Sequence, residues 1–476
     1  MKRKSETLDS NINISKIGAY YLVGTMFQKG IAFLTVPIFT RVMGTDDYGL
    51  ISTYNSWLGI LSMFISAALY MSLRLAFVDY KDDIDNFLSS ITTFALADGT
   101  LFCMVAVAIG ILTENSTILV LGVICILQAT GEAIIMNLSQ YYVMLYRYKT
   151  RTILMILPPL LSAVLSIITI LLLREKKYLG RIFPTAFVSI IVGILLCLIV
   201  YKKSSVILKK EYIIYGIRIS APLILHGIAL NILSSSDRIM ITEFRNSSET
   251  GIYSLVYNVG MLATALTTAL DGIWSPWFIQ MMNKKSIDRE VGTRINFAFR
   301  EYLRTMTIIM IVIIFVGPEI VKVFADSRYW EGISIIAPIV LANYLIFIYT
   351  FYVGVEHYYK KTIFISINTI IAAVVNIILN YIFVPRYGYS AAAYTTLLSY
   401  GVSLVLHICR SRRLDKCLFN WKEVLKPVLC VLASAIVFEA TVSVFIIRWC
   451  IAIGCMFYLI TIYRDEIIGW WKRRIE

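Results

Sequence analysis

Long apolar runs are what most constrain this chain. Broken at charged or turn-rich clusters, the 476 residues give about fourteen stretches of roughly 18 to 30 mostly apolar residues, each able to cross ~30 Å of hydrocarbon as a helix. They lie near 15–40, 49–77, 88–113, 118–146, 152–173, 182–201, 213–242, 250–282, 303–325, 333–357, 363–384, 389–409, 427–443 and 444–463. The last two have only the residues around Thr441 to Arg448 for their turn, so the count runs from twelve to fourteen. With 58% hydrophobic and 16% charged residues, the chain is expected to be an all-α polytopic membrane protein and not a water-soluble domain.

Charge then sets orientation. The formal net charge of +14 would suggest nucleic acid on a soluble protein, but here the basic residues sit in short connections between spans, and no nucleic acid is expected. About 30 of the 44 Lys and Arg fall on one side of the alternating connections and about eight on the other, which places both termini in the cytoplasm. One connection dissents: Arg174, Lys176, Lys177 and Arg181 lie on the outer side. The start, Lys2-Arg3-Lys4 followed by Asp9, Asn11 and Asn13, shows no cleavable signal peptide, so the first span is expected to direct insertion.

Chemistry is sparse. Three histidines and eight cysteines without C-x-x-C spacing point to no metal site, and no cofactor is expected. No G-x-x-x-x-G-K-[ST] pattern occurs, and the longest outer connection has only about ten residues, too few for a catalytic domain. The protein is therefore not expected to be an enzyme. Two longer basic cytoplasmic connections, 283–302 and 410–426, carry Lys284, Lys285, Arg289, Arg294 and Arg300 among others. These suit an anionic lipid or a partner, or serve topology alone.

An internal repeat organises the spans. At an offset of 202 residues, Ile17 matches Ile219, Ala19 matches Ala221, Thr40 matches Thr242, Gly49 matches Gly251 and Ser52 matches Ser254. The repeat unit holds six helices, an even number, so the two copies run the same way and form a parallel repeat. This divides the chain into an N-terminal lobe, 1–212, a C-terminal lobe, 213–410, and a basic loop, final helix pair and tail, 411–476. Such lobes are expected to hold a substrate between them and to alternate access by rocking.

The residues also carry a resemblance. Ser235-Ser236-Asp237-Arg238-Ile239-Met240-Ile241 followed by Gly251-Ile252-Tyr253-Ser254 resembles the span-7 to span-8 pattern of polysaccharide flippases in the multidrug/oligosaccharidyl-lipid/polysaccharide exporter superfamily. Lys360-Lys361-Thr362, Asn376, Asn380, Pro385, Gly388 and the small residues Ser390 to Ala393 fit the same pattern, as do Lys29-Gly30, Pro37, Thr40-Arg41 and Tyr48-Gly49. The resemblance implies two lobes in a V and fourteen helices. It also implies translocation of undecaprenyl-diphosphate-linked O-antigen or capsule repeat units across a bacterial inner membrane, alongside polysaccharide polymerase or assembly proteins. A monomer is the expected state.

Ionisable residues at membrane depth cost a few kcal/mol or more, so each is a candidate for function. For a diphosphate headgroup the expected cationic cavity residues are Lys29, near the middle of span 1, with Arg74, Arg218 and Arg238. Arg74 and Arg218 read equally as side chains reaching to the cytoplasmic edge, and Arg238 as a local partner of Asp237 near the outer end. Glu132, Asp237 and Asp271 are candidates for ion coupling or for structural ion pairs, Glu132 with Lys29 in particular. Trp274 and Trp277 are candidates for stacking on sugar rings, or belong to an interfacial belt. His226 reads as a titrating group or a hydrogen-bonded core residue. Two other functions stay open: a cation-coupled multidrug exporter, whose cavity would favour acids, and a membrane polysaccharide polymerase or ligase.

Overall fold

The computed structural model describes residues 14–285 and 290–464, apart from some side chains within helices, those of Gln28 and Lys29 among them. The described residues contain helices and no strand. In chain order the α-helices are α1 (Ile14–Val42), α2 (Thr45–Phe64), α3 (Leu73–Asp79), α4 (Ile84–Leu112), α5 (Ser116–Met144), α6 (Tyr148–Leu172), α7 (Leu179–Lys203) and α8 (Lys210–Phe244). There follow α9 (Ser247–Lys285), α10 (Glu290–Phe324), α11 (Ile336–Tyr358), α12 (Thr362–Leu414), α13 (Trp421–Thr441) and α14 (Phe445–Ile462). Eleven helical segments among the described residues are long and apolar enough to cross a membrane, and α8 makes a twelfth. Large apolar side chains such as Leu112, Leu172 and Ile436 stand on the outside, as lipid-facing helices require. The protein is a multi-pass membrane protein.

Two compact units divide the helices, the first Met1–Met43 with Trp57–Ile224 and the second Gly44–Ser56 with Leu225–Glu476. This division falls inside α8, and the start of α2 joins the second unit. In the first unit, α4, α5 and α7 pack around a core that includes Phe87, Ile91, Leu138, Tyr141 and Tyr212, and α1 packs on α6. The expected single span 49–77 is broken between Phe64 and Leu73, where Ser66, Ala67 and Ala68 adopt positive φ. Such a turn is costly for L-residues, and the Ser66 amide it frees donates to Asp98 at 3.2 Å.

The same unit explains the dissenting basic loop. Lys177 Nζ donates to the carbonyl of Val42 at 2.8 Å, closing the C-terminus of α1, and Arg181 lies 4.8 Å over the Phe39 ring while donating to Ser166 at 3.2 Å. These two cations are held by local packing and helix capping, which count-based orientation rules do not weigh.

In the second unit α11 is the central helix, packed on by α9, α10, α12 and α13 and buried along most of its length. α12 is a helical hairpin: Asn376 bonds Thr396, Asn380 bonds Thr395 and Asn368 bonds His407, an antiparallel register about Gly388. Gly388 has φ +64 and ψ −150, a conformation open to glycine and strained for other residues. The two spans expected at 363–384 and 389–409 are the arms of this hairpin.

The start of α2 meets the start of α9 through the two glycines that the repeat aligns. A Cβ on Gly49 would overlap the carbonyl of Ser247, and one on Gly251 would overlap the carbonyl of Thr45. The contact is reciprocal and is flanked by hydroxyl pairs, Thr45 with Ser248 and Thr53 with Thr242, each at 2.6 Å. Small residues permit this backbone approach, and the hydroxyl pairs hold it.

The final helices are two separate spans. Arg448, 2% exposed in α14, forms a bidentate pair with Glu319 of α10 at 2.6 and 2.8 Å and donates to the Phe315 carbonyl at 3.1 Å. Glu319→Ala leaves this guanidinium buried without its anion and is expected to cost roughly 3–5 kcal/mol, whereas a paired Glu319→Met, Arg448→Met change recovers most of it. Thermal unfolding of the purified variants in detergent checks this; equal melting temperatures for Glu319→Ala and wild type would contradict it. The expected 283–302 loop is largely helical, since α9 reaches Lys285 and α10 begins at Glu290. Lys285 pairs with Asp415 there and Arg300 with Glu423, so part of its charge is used inside the unit. Arg289 lies outside the described residues.

Candidate functional site

Asp237 is the centre of the most developed polar site. It lies on α8 in the second unit and is 0% exposed. Its Oδ2 accepts hydrogen bonds from the Tyr253 hydroxyl of α9 and the Thr396 hydroxyl of α12, both at 2.6 Å. Its Oδ1 accepts from Asn380 Nδ2 at 2.6 Å. A second layer supports these donors. Asn380 bonds Asn376 at 3.2 Å and accepts from Thr395, Asn376 donates to Thr396 at 3.3 Å, and Ser236 donates to Asn376 at 3.1 Å.

The local sequence explains the placement. Asn376 and Asn380 are one helical turn apart on the first arm of α12, and the Gly388 reversal brings Thr395 and Thr396 opposite them. Asp237 then enters from α8 and Tyr253 from α9. The neighbouring Arg238 turns elsewhere: its guanidinium lies 4.6 Å over the Tyr257 ring and donates to the Ser234 carbonyl at 2.9 Å. Among the described residues no ion pair joins Asp237 to Arg238, so the expected local pair does not form. A buried carboxyl group held by three donors and no basic side chain can change its charge only by taking a proton or another cation.

The other expected residues are distributed as follows. Lys29 lies on α1, with its side chain outside the described residues, and with it any pairing to Glu132. Glu132 is half-buried on α5 and accepts from Gln128 at 2.9 Å. Arg74 and Arg218 are exposed, and both fall within the first compact unit. They flank one contact, for Gly216 of α8 packs on Leu69 and Ser72, the turn that precedes Arg74.

Asp271 is exposed on α9, and Trp277 is half-buried. Trp274 is not placed to stack on a sugar in this conformation. It is 4% exposed, with its ring 4.7 Å from Phe351, 5.2 Å from Tyr302 and 5.7 Å from Phe278, inside the aromatic core of the second unit. His226 is half-buried on α8. No group of acidic, histidine or cysteine side chains among the described residues is arranged to hold a metal ion.

Sequence reasoning did not assign Tyr253, Asn376, Asn380, Thr395 and Thr396 to the site, although two asparagines one turn apart in an apolar run were a usable signal. Asp98, an acid within α4, was also missed.

Comparison with known proteins agrees with this architecture. The family described as polysaccharide biosynthesis protein matches residues 15–282, more than half of the chain. "Lsg locus putative protein 1" of Haemophilus influenzae is 21% identical over 360 residues, covering 72% of this chain and 86% of that protein. Among solved structures, the lipid II flippase MurJ in an inward closed conformation aligns with a TM-score of 0.57 at 19% identity, covering 95% of this chain and 100% of that one. An inward-facing multidrug resistance MATE family transporter of the MOP superfamily aligns with a TM-score of 0.59 at 12% identity, covering 84% of this chain and 98% of that one. At these identities the structures show a shared fold.

Proposed function

The chain belongs to the polysaccharide biosynthesis protein family, and from that premise we propose that it is a flippase for undecaprenyl-diphosphate-linked oligosaccharide repeat units. In this reading it works by alternating access in a bacterial inner membrane, with both termini cytoplasmic, and supplies O-antigen, capsule or exopolysaccharide assembly. The protein acts as a monomer, next to a polymerase or other assembly proteins, and performs no covalent chemistry. The observation that carries the reading is a family membership joined to exposed arginines within apolar spans, Arg74 and Arg218, in one unit.

A diphosphate carries two or more negative charges that hydrocarbon does not solvate, and a wet, cation-lined path lowers that barrier. Lys29, Arg74, Arg218 and Arg238 supply the cations, the arginines offering bidentate contact with phosphate oxygens. Trp277, on α9, stacks on the sugars, and Asp271, exposed on the same helix, is a further candidate for coupling. Asp237 is the coupling acid: binding and release of a cation there changes the charge at the junction of α8, α9 and α12. Glu132 has the same role or holds Lys29.

The test is surface polysaccharide in a strain lacking its own flippase. Wild type restores display, Lys29→Ala loses it and Lys29→Arg keeps it, at matched membrane expression. Display by Lys29→Ala at the wild-type level contradicts the role of Lys29. A wild type that restores no sugar type but confers drug resistance supports a cation-coupled multidrug exporter, the reading that the MATE-like fold also accommodates.

A further inference from the structure

A second buried polar group lies in the second unit, far from Asp237 in the helical register. Glu356, in the last turn of α11, and His407, near the end of α12, have side chains 0% and 1% exposed. His407 Nδ1 is 3.0 Å from Glu356 Oε1 and 3.3 Å from Asn368 Nδ2, and the Tyr349 ring stacks on the imidazole at 5.3 Å. Glu356 Oε2 is buried and has no hydrogen-bond partner among the described residues.

A carboxylate with one oxygen unsolvated, beside a neutral imidazole, would place an uncompensated charge in the lobe. One proton shared between Glu356 Oε1 and His407 Nδ1 makes the pair neutral. Loading the pair thus forms one O–H or N–H bond and changes its charge from −1 to 0; unloading breaks that bond and returns the proton. No other bond is made or broken.

The pair is not isolated. Thr396, Tyr400, Ser403 and His407 recur at spacings of four, three and four along the second arm of α12, all buried on one face and spanning about 16 Å at 1.5 Å per residue. Thr396 is a ligand of Asp237, and Tyr400 lies within electrostatic reach of Asp237 and Tyr257. Tyr349 bridges the remaining interval, its ring 6.5 Å from that of Tyr400.

Other charged and titratable groups lie on the elements packed around the pair. His357 follows Glu356 on α11, and His226 of α8 feels the charges of both His357 and His407. Asp271 of α9 lies within electrostatic reach of His357. On the cytoplasmic rim, Arg412 of α12 and Glu423 of α13 act on Tyr352, Arg300 of α10 pairs with Glu423, Arg410 covers Phe364, and the Lys361 amide donates to the Glu356 carbonyl.

We propose that Glu356 and His407 form a proton-binding site at the end of the second unit opposite Asp237, with Asn368 orienting the imidazole and the Tyr349–Tyr400 stack linking the two groups. The transport role of this site rests on the reading of Asp237 as the coupling acid.

The test is pH-difference infrared spectroscopy of the full chain in lipid nanodiscs between about pH 5 and 9. Wild type is expected to show the carbonyl band of a buried carboxyl group that is lost in Glu356→Gln, displaced in His407→Gln and kept in Asp237→Asn. A difference spectrum unchanged by Glu356→Gln overturns the proposal. If Glu356→Gln does not fold, His407→Gln decides, since a band that it leaves in place also overturns it. The readout needs no transport, so a protein that shows the band but flips no saccharide keeps the proton site and loses the flippase reading.

Discussion

Gly49→Ala and Gly251→Ala are each expected to destabilise the second unit by at least about 3 kcal/mol and to lower the yield of folded protein severalfold. The obstacle to each new methyl is a backbone carbonyl, of Ser247 in one case and Thr45 in the other, and neither can rotate away as a side chain would. Relief requires the starts of α2 and α9 to separate, which also breaks the Thr45–Ser248 and Thr53–Thr242 hydroxyl pairs. Thermal unfolding in detergent, with Gly30→Ala as a control because a Cβ there meets nothing within 4 Å, measures the effect. Melting temperatures equal to wild type would show that the close approach does not exist.

Asp237→Asn is expected to reduce transport at least about tenfold while the protein stays folded. Asparagine has nearly the same size, and the Tyr253 and Thr396 hydroxyls can turn to meet a carbonyl oxygen or an amide nitrogen, so most of the network survives. The lost property is the charge, and with it the capacity to take up a cation. Asp237→Ala differs: it strands the Tyr253, Thr396 and Asn380 donors at about 1–3 kcal/mol each and should fail by unfolding. Transport and melting temperature measured on the same preparations separate the two effects. Wild-type transport by Asp237→Asn over the whole pH range would remove Asp237 from the mechanism.

Much of the fold was legible because membrane spans are written in single-residue composition. The hairpin of α12 could be read from Pro385 and Gly388 between two apolar runs, and the repeat paired Gly49 with Gly251 before their contact was visible. The break at Ser66–Ala68 could not be read, because neither glycine nor proline marks it. The helical character of 283–302 was hidden by basic residues, of which Lys285 at the end of α9 pairs with Asp415 and Arg300 of α10 with Glu423.

The candidate site was legible in its parts and not in its geometry. Asp237 stood out as an acid at membrane depth, but its donors come from residues sixteen to 159 positions away. The assignment of Arg238 as its partner followed adjacency, and adjacent residues on a helix point about 100° apart. Trp274 was selected as a sugar platform by residue type, while burial gave its ring to the core. Glu356 and His407 were passed over because each lies close to a span end in the sequence; only the hairpin brings them together away from water.

The most direct measurement is flipping by the purified protein in proteoliposomes that contain undecaprenyl-diphosphate-linked oligosaccharide, read as the rate at which a membrane-impermeant glycan-modifying enzyme gains access to lipid from the protected leaflet. The expected result is a rate well above that of protein-free vesicles, retained by Lys29→Arg and lost in Lys29→Ala and Asp237→Asn. A wild-type rate no higher than that of protein-free vesicles across several glycan types, from protein that is folded and inserted, would contradict the flippase account.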